Sequence, residues 1–363
     1  IRNAKLVSKG HPNHLSKTDI LITDGIIKSI ATGIKAEATE ISGEELVVTS
    51  GWFDLRVHLS DPGNEHKDSL TNILSTAAAG GFTGICTLPN AEPAINSKSA
   101  INYLKKQAEQ SLTTLYPSGV ISNANDAENL AELYDMHLAG ALAFTNGDRC
   151  ISNGLLKKAL LYTKPFSAKI ISQPLDGSLH QHGMVNESEN TVHTGLKTSP
   201  SLAEYINVRE QLEVAKYCDS PIHFSGISCK ESVELIAEAK KKGQKVTCDT
   251  TIFNLCFTDA EVLNFDENFK LHPVLRTEKD RKALVKGIQN GTIDAICSNH
   301  YPQNIEAKQV EFDYADEGAL SLQLVYSWYL KYLSKELDFE VFVSKLTLDA
   351  RAVLGIESTE LTE

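Results

Sequence analysis

Apolar and polar positions fall into two regimes along the chain. Over residues 1–49 short apolar runs alternate with turn-forming residues. In ILITDGIIKSIA two such runs flank Asp24-Gly25, a pairing that predicts a tight β-hairpin. From about residue 50 strand-length apolar runs alternate with amphipathic stretches. Residues 70–79 have helical periodicity and stop at Gly80-Gly81, as a helix C-terminus does. FTGICTLPN reads as the following strand. Residues 230–242 place Val233, Leu235, Ile236 and Ala239 near helical spacing before Gly243. KVTCDTT reads as a strand, Thr277-x-x-Asp280 as a helix-start cap before KALVKGI, and TIDAICSN as another strand. Alternating βα units predict an α/β fold with a parallel sheet, and the length suits a closed barrel of roughly 250 residues plus a small appended domain.

Composition narrows the function classes. The chain has 363 residues, 42% hydrophobic and 23% charged, with a net charge of −12, ordinary values for a globular protein. An acidic balance disfavours nucleic acid and anionic membrane as partners, because both reward clustered Lys and Arg. No apolar run approaches the roughly 18 residues that span a bilayer. The opening IRNAKLVSKG lacks a signal-peptide layout, which sets the expectation of a cytoplasmic protein. Seven scattered cysteines without a Cys-x-x-Cys pair are expected to be reduced thiols filling space. His180 and His182 mimic a metal-binding His-x-His but fall in a segment that reads as loop or helix start, and surface positions are expected for them.

In α/β barrels the functional side chains stand at the C-terminal ends of strands. Polar residues that follow apolar runs are Asp54, Arg56 and His58, then Asn90, Asn146, Gln173, His223, Asn299 and His300. They form a candidate ring at one barrel mouth. Alternatively, each caps its own strand or loop.

Several stretches carry a family resemblance, and they fall in that family's order. They are HLSDPGNEHKDSL, AAAGGFTGICTLPNAEP, LDGSLHQHGMVNE, IHFSGISCKESVELI and NFKLHPVLRTEKDRKALVKGIQNGTIDAICSNHYP. Over nearly its whole length the chain resembles the dihydroorotases of the cyclic amidohydrolase superfamily. The resemblance implies a TIM-type (β/α)8 barrel of the metal-dependent hydrolase superfamily with a small β-sandwich domain. The implied division is 1–49 for the first part of the β domain, 50–355 for the barrel and 356–363 for the start of a return to the β domain.

The resemblance also implies a pair of zinc ions whose hydroxide attacks a ring amide, and here the chain departs from the pattern. At the family's first ligand strand, Asp-x-His-x-His becomes Asp54-x-Arg56-x-His58. Asn146 matches the bridging carboxylate position, Gln173 another His, His223 a retained His and Asn299 the catalytic Asp. Of the six positions, His58 and His223 keep ligand-type side chains. Arginine offers no lone pair, and amide carbonyls replace carboxylates poorly around zinc. Arg56 is expected to fill part of the vacated space and to donate to Asn146, Gln173 and Asn299. The substrate positions are altered as well. Ser60 stands for the carboxylate-gripping Arg, Asn90 and His300 are kept, His272 replaces an Asn and Gln303 a His.

These changes imply a protein that binds no metal and is not a catalyst, serving as a structural or regulatory partner in pyrimidine biosynthesis. Aspartate carbamoyltransferase, or a second copy of the chain, is the expected partner. An alternative is an active cyclic amidohydrolase with an atypical centre, using zinc on the residual ligands His58 and His223. A second is a small-molecule binding protein reusing the old pocket.

Overall fold

The computed structural model describes residues 1–123, 126–357 and 361. Strands β1 (Ala4–Val7), β2 (Lys17–Thr23), β3 (Ile26–Ala31) and β4 (Val47–Thr49) form a sheet in the order β3-β2-β1-β4. The β2–β3 hairpin turns at Asp24-Gly25 with φ of 52° and 75°, the left-handed pair a two-residue type I′ loop requires. Leu6, Ile20 and Ile30 make this sheet's buried cluster, and Leu361 packs against it.

Eight strands among the described residues build the barrel. They are β5 (Trp52–Val57), β6 (Phe82–Thr87), β7 (Thr114–Pro117), β8 (Ala143–Phe144), β9 (Lys169–Ser172), β10 (Ile222–Phe224), β11 (Val246–Thr251) and β12 (Ala295–Cys297). Three pair in parallel as β5-β6-β7 and five as β8-β9-β10-β11-β12. Two parallel bridges join these arcs into a ring: Gly119 with Phe144, and Val57 with His300. The second is reinforced by the His58 amide donating to the His300 carbonyl at 2.9 Å.

The connecting helices start where local chemistry dictates. Helix α1 (Leu70–Ala79) begins at Ser69, whose hydroxyl accepts from the Asn72 amide, and buries Leu70, Ile73, Leu74 and Ala77. Helix α2 (Lys230–Lys241) buries Val233, Ile236 and Ala239. At α3 (Glu278–Gln289) Thr277 and Asp280 form a full capping box, satisfying two otherwise orphaned amides. The large apolar core lies between strands and helices and includes Val57, Ile85, Phe144, Phe224, Ile236 and Ile288. No helix of the described residues is long and apolar enough to cross a membrane.

Candidate functional site

Every residue of β5 is buried, two charged ones included. Asp54 is fully enclosed and accepts from the Ser298 amide at 3.0 Å and from the Arg56 amide at 2.9 Å. Burial pushes its carboxyl up to about 7, against the pull of those donors. Asp54 therefore ties the first barrel strand to the segment after the last.

Arg56 is among the largest fully buried side chains in the protein, at 1% exposure. Its Nε donates to Asn299 Oδ1 at 2.7 Å and its Nη2 to Gln173 Oε1 at 2.8 Å. Nη2 also donates to Asp148 Oδ1 in a short charge-assisted contact, and Nη1 reaches Ser225 Oγ at 3.4 Å. Two of the three acceptors expected from the sequence are thus its partners. The third is not. Asn146 Oδ1 turns toward the loop after β7, where it accepts from the Ile121 and Ser122 amides, both at 3.1 Å. A guanidinium buried among neutral amides needs a counter-charge, and Asp148, two residues further along, supplies it.

Imidazoles and carboxylates interleave around this pair. His58 stacks on Tyr301 at 3.8 Å between ring centroids and 7° between planes. Its Nδ1 lies 3.7 Å from Asp148 and 3.4 Å from Asn90 Nδ2, and its Nε2 is buried with no partner among the described residues. Burial pushes His58 down to about 4, so the ring is neutral near pH 7. Burial works against the Asp148 charge, yet His58, Arg56 and His272 together hold its carboxyl below the usual range. His223 is committed on both nitrogens, Nδ1 to Thr247 Oγ1 at 2.9 Å and Nε2 to Asp249 Oδ2 at 2.9 Å. Asp249 is fully buried. The His223 bond, the Gly226 amide and Arg56 outweigh that burial and lower its pKa.

The positions that the resemblance assigns to substrate fall around the same mouth. Asn90 Oδ1 accepts from the Leu59 amide at 3.1 Å, holding the chain just beyond β5. Asn299, at a φ of 55°, donates through Nδ2 to the His272 carbonyl at 3.1 Å. Gln303 Nε2 donates to the Glu317 carbonyl at 2.6 Å. His300 Nδ1 accepts from the Ser321 amide at 3.0 Å. Ser60 Oγ, His272 Nε2 and His300 Nε2 are buried without partners among the described residues. Against the expectation of a surface position, His180 is half-buried, with Nδ1 2.8 Å from Ser199 Oγ and its ring 5.4 Å from that of His272. His182 is exposed.

This donor set does not fit a pair of divalent cations. Catalytic zinc needs three protein ligands and structural zinc four. Here two imidazoles are the only residual ligands at the family's metal positions, a guanidinium stands at a third, and His223 already spends both nitrogens. Among the described residues no group of three or more His, Cys, Asp and Glu is arranged to hold a metal ion.

Asp148, Asp249, Ser225 and Tyr301 escaped the sequence reading. One signal could have found Asp148: once Arg56 is taken as buried, an acid in a loop beyond a strand end is required, and Asp148 lies in the loop after β8.

The barrel has the architecture of the cyclic amidohydrolases. It superimposes on L-hydantoinase (dihydropyrimidinase) from Arthrobacter aurescens with a TM-score of 0.83 at 22% identity, covering 99% of this chain and 83% of that one. For dihydropyrimidinase from Brevibacillus agri the TM-score is 0.80 at 18% identity, with the same coverage. Sequence places the chain more narrowly. The Dihydro-orotase-like family profile matches residues 45–232. Dihydroorotase from Caldicellulosiruptor saccharolyticus is 35% identical over 100% of this chain and 86% of its own length. Dihydroorotase from Geotalea daltonii is 35% identical over 93% and 81%. The chain belongs to the dihydroorotase-like family.

Proposed function

We propose that this dihydroorotase-family protein serves pyrimidine metabolism without hydrolysing a ring amide by two-metal chemistry at its barrel mouth. The Arg56–Asp148 ion pair carries this reading. In the family the metals lower the pKa of water and stabilise the oxyanion. Here a fixed cation with its own counter-ion occupies the centre, and neutral Asn299 stands at the position of the family's catalytic base. In this reading the chain acts as a structural or regulatory partner of aspartate carbamoyltransferase or of a second copy of itself; co-purification with either supports it, and a chain that purifies alone and monomeric counts against it.

A second reading has a specific observation in its favour. The relatives cited bear the name dihydroorotase at 35% identity over nearly the whole chain, which speaks for catalysis and not for a partner role. An active version would use one zinc on His58 and His223 after His223 gives up Asp249. Zinc quantification beside a ring-opening and ring-closing assay separates the two. The first reading expects far less than one zinc per chain and no turnover that zinc restores. Near-stoichiometric zinc with chelator-sensitive turnover would establish the second.

A further inference from the structure

Arg56 and its partner differ sharply in access to water. The guanidinium side chain is 1% exposed, whereas 32% of the Asp148 side chain meets solvent. The charge that belongs to the barrel is sealed in, and the charge that neutralises it arrives from outside, on a loop. That loop turns at Gly147, which has a φ of 63° and donates its amide to Thr145 Oγ1 at 3.1 Å, so the backbone is anchored and it is the partly exposed Asp148 side chain that can turn outward. Arg149 and Cys150 just beyond are exposed.

The donors of Arg56 are incompletely used. Asp148 takes Nη2 through Oδ1, while its Oδ2 lies 3.7 Å from His58 Nδ1. Nη1 carries two hydrogens, and its contact among the described residues is the long one to Ser225 Oγ at 3.4 Å. A guanidinium edge engaged at one nitrogen is one that a free carboxylate could engage at two, the stronger geometry. Gln173 and Asn299 hold the guanidinium plane fixed through Nη2 and Nε, so such a site needs no rearrangement on the protein side. Buried polar atoms without partners among the described residues, Ser60 Oγ and His58 Nε2 among them, stand at the same mouth.

We propose that the floor of the barrel mouth is a carboxylate-binding site built on Arg56, Gln173 and Asn299, and that Asp148 is its resident occupant. The ligand class is a small organic carboxylate that takes the place of the Asp148 carboxylate when that side chain turns out to solvent. This rests on the reading that Arg56, not a metal, holds the centre.

The test uses Asp148→Gly, which removes a group the size of acetate. Chelator-treated protein is melted in increasing sodium acetate against sodium chloride of equal ionic strength. Asp148→Gly is expected to melt below wild type, and acetate should raise its Tm saturably where chloride does not. Wild type should show a smaller rise that needs more acetate, because Asp148 competes, and Asp148→Gly combined with Arg56→Met should show none. If Asp148→Gly does not fold alone, its refolding yield from urea is read instead and should recover with acetate, with the shape-preserving Asp148→Asn unresponsive. Absence of an acetate-specific effect in both measurements, or an equal effect without Arg56, overturns the proposal. Zinc found in untreated protein would count against the metal-free reading alone, because the acetate response is read after the metal is removed.

Discussion

Replacing Arg56 by methionine probes the ion pair that organises the site. Methionine has a similar reach and no charge. Asn299 Oδ1 and Gln173 Oε1 would lose their donor at 2.7 and 2.8 Å, and each orphaned buried acceptor costs ~1–3 kcal/mol. Asp148 would lose its counter-charge, but a third of its side chain already meets water, so it rehydrates by turning outward. The expected loss for Arg56→Met is therefore about 4 kcal/mol. Asp148→Asn acts differently. It removes the carboxylate that touches the sealed guanidinium and leaves only the more distant Asp249 as counter-charge, and breaking a buried pair from one side costs ~3–5 kcal/mol. In the double variant neither charge remains to be stranded. It should be destabilised by about as much as Arg56→Met alone, giving a coupling of about 4 kcal/mol. Equilibrium urea unfolding of all four chelator-treated proteins measures this. Distant, independent sites add to within ~0.5 kcal/mol. Additivity of that quality would refute the pairing of Arg56 with Asp148 and with it the account of the centre.

Two further outcomes follow from neighbouring groups. His300 is 1% exposed, its Nδ1 accepts from the Ser321 amide, and burial pushes its pKa down to about 4 from the ordinary 6.5. A depressed pKa means the unfolded chain binds the proton more readily, so stability is complete above about pH 6.5 and falls as pH drops toward 4. Between pH 7 and pH 5 this one ring should remove ~2 kcal/mol. His300→Asn keeps an acceptor near Nδ1 and does not titrate, so urea unfolding at the two pH values should show a pH effect ~2 kcal/mol smaller than in wild type. An unchanged pH effect would show that His300 is not the group responsible. Gly63, at the barrel mouth, has a φ of 99°, and a Cβ there would lie 1.8 Å from the Glu92 carbonyl oxygen. Gly63→Ala should cost about 3 kcal/mol or more in thermal or urea unfolding, and a loss below ~1 kcal/mol would show that the two loops yield easily.

Much of the fold was legible because its signals are local. The Asp24-Gly25 hairpin, the helix over 70–79 and the Thr277–Asp280 cap each depend on residues within a few positions of one another, and each lies where the pattern put it. The polar residues at strand ends were legible for a related reason: parallel βα units send all strand C-termini to one face. Geometry between strands was less so. Asn146 and Asp148 are two residues apart, and the resemblance favoured the first. The turn at Gly147 brings the second to Arg56 and leaves the first bonded to 121 and 122. The double commitment of His223, to Thr247 and Asp249, was invisible because it depends on the register of β10 against β11. His180 is half-buried and not fully exposed because its ring meets Ser199 and His272, contacts from distant segments that the local pattern does not carry.

The partners of Arg56 lie 92, 117, 169 and 243 positions away along the chain. Contacts of such span close very large loops, and they form after the shorter-range βα units have assembled. A knot of bonds made that late stabilises the finished barrel more than the route toward it, so its influence falls on the rate of opening. The buried guanidinium thus acts as a clasp on the completed ring, and the lifetime of the native state, more than the speed with which it is reached, is where that clasp is felt.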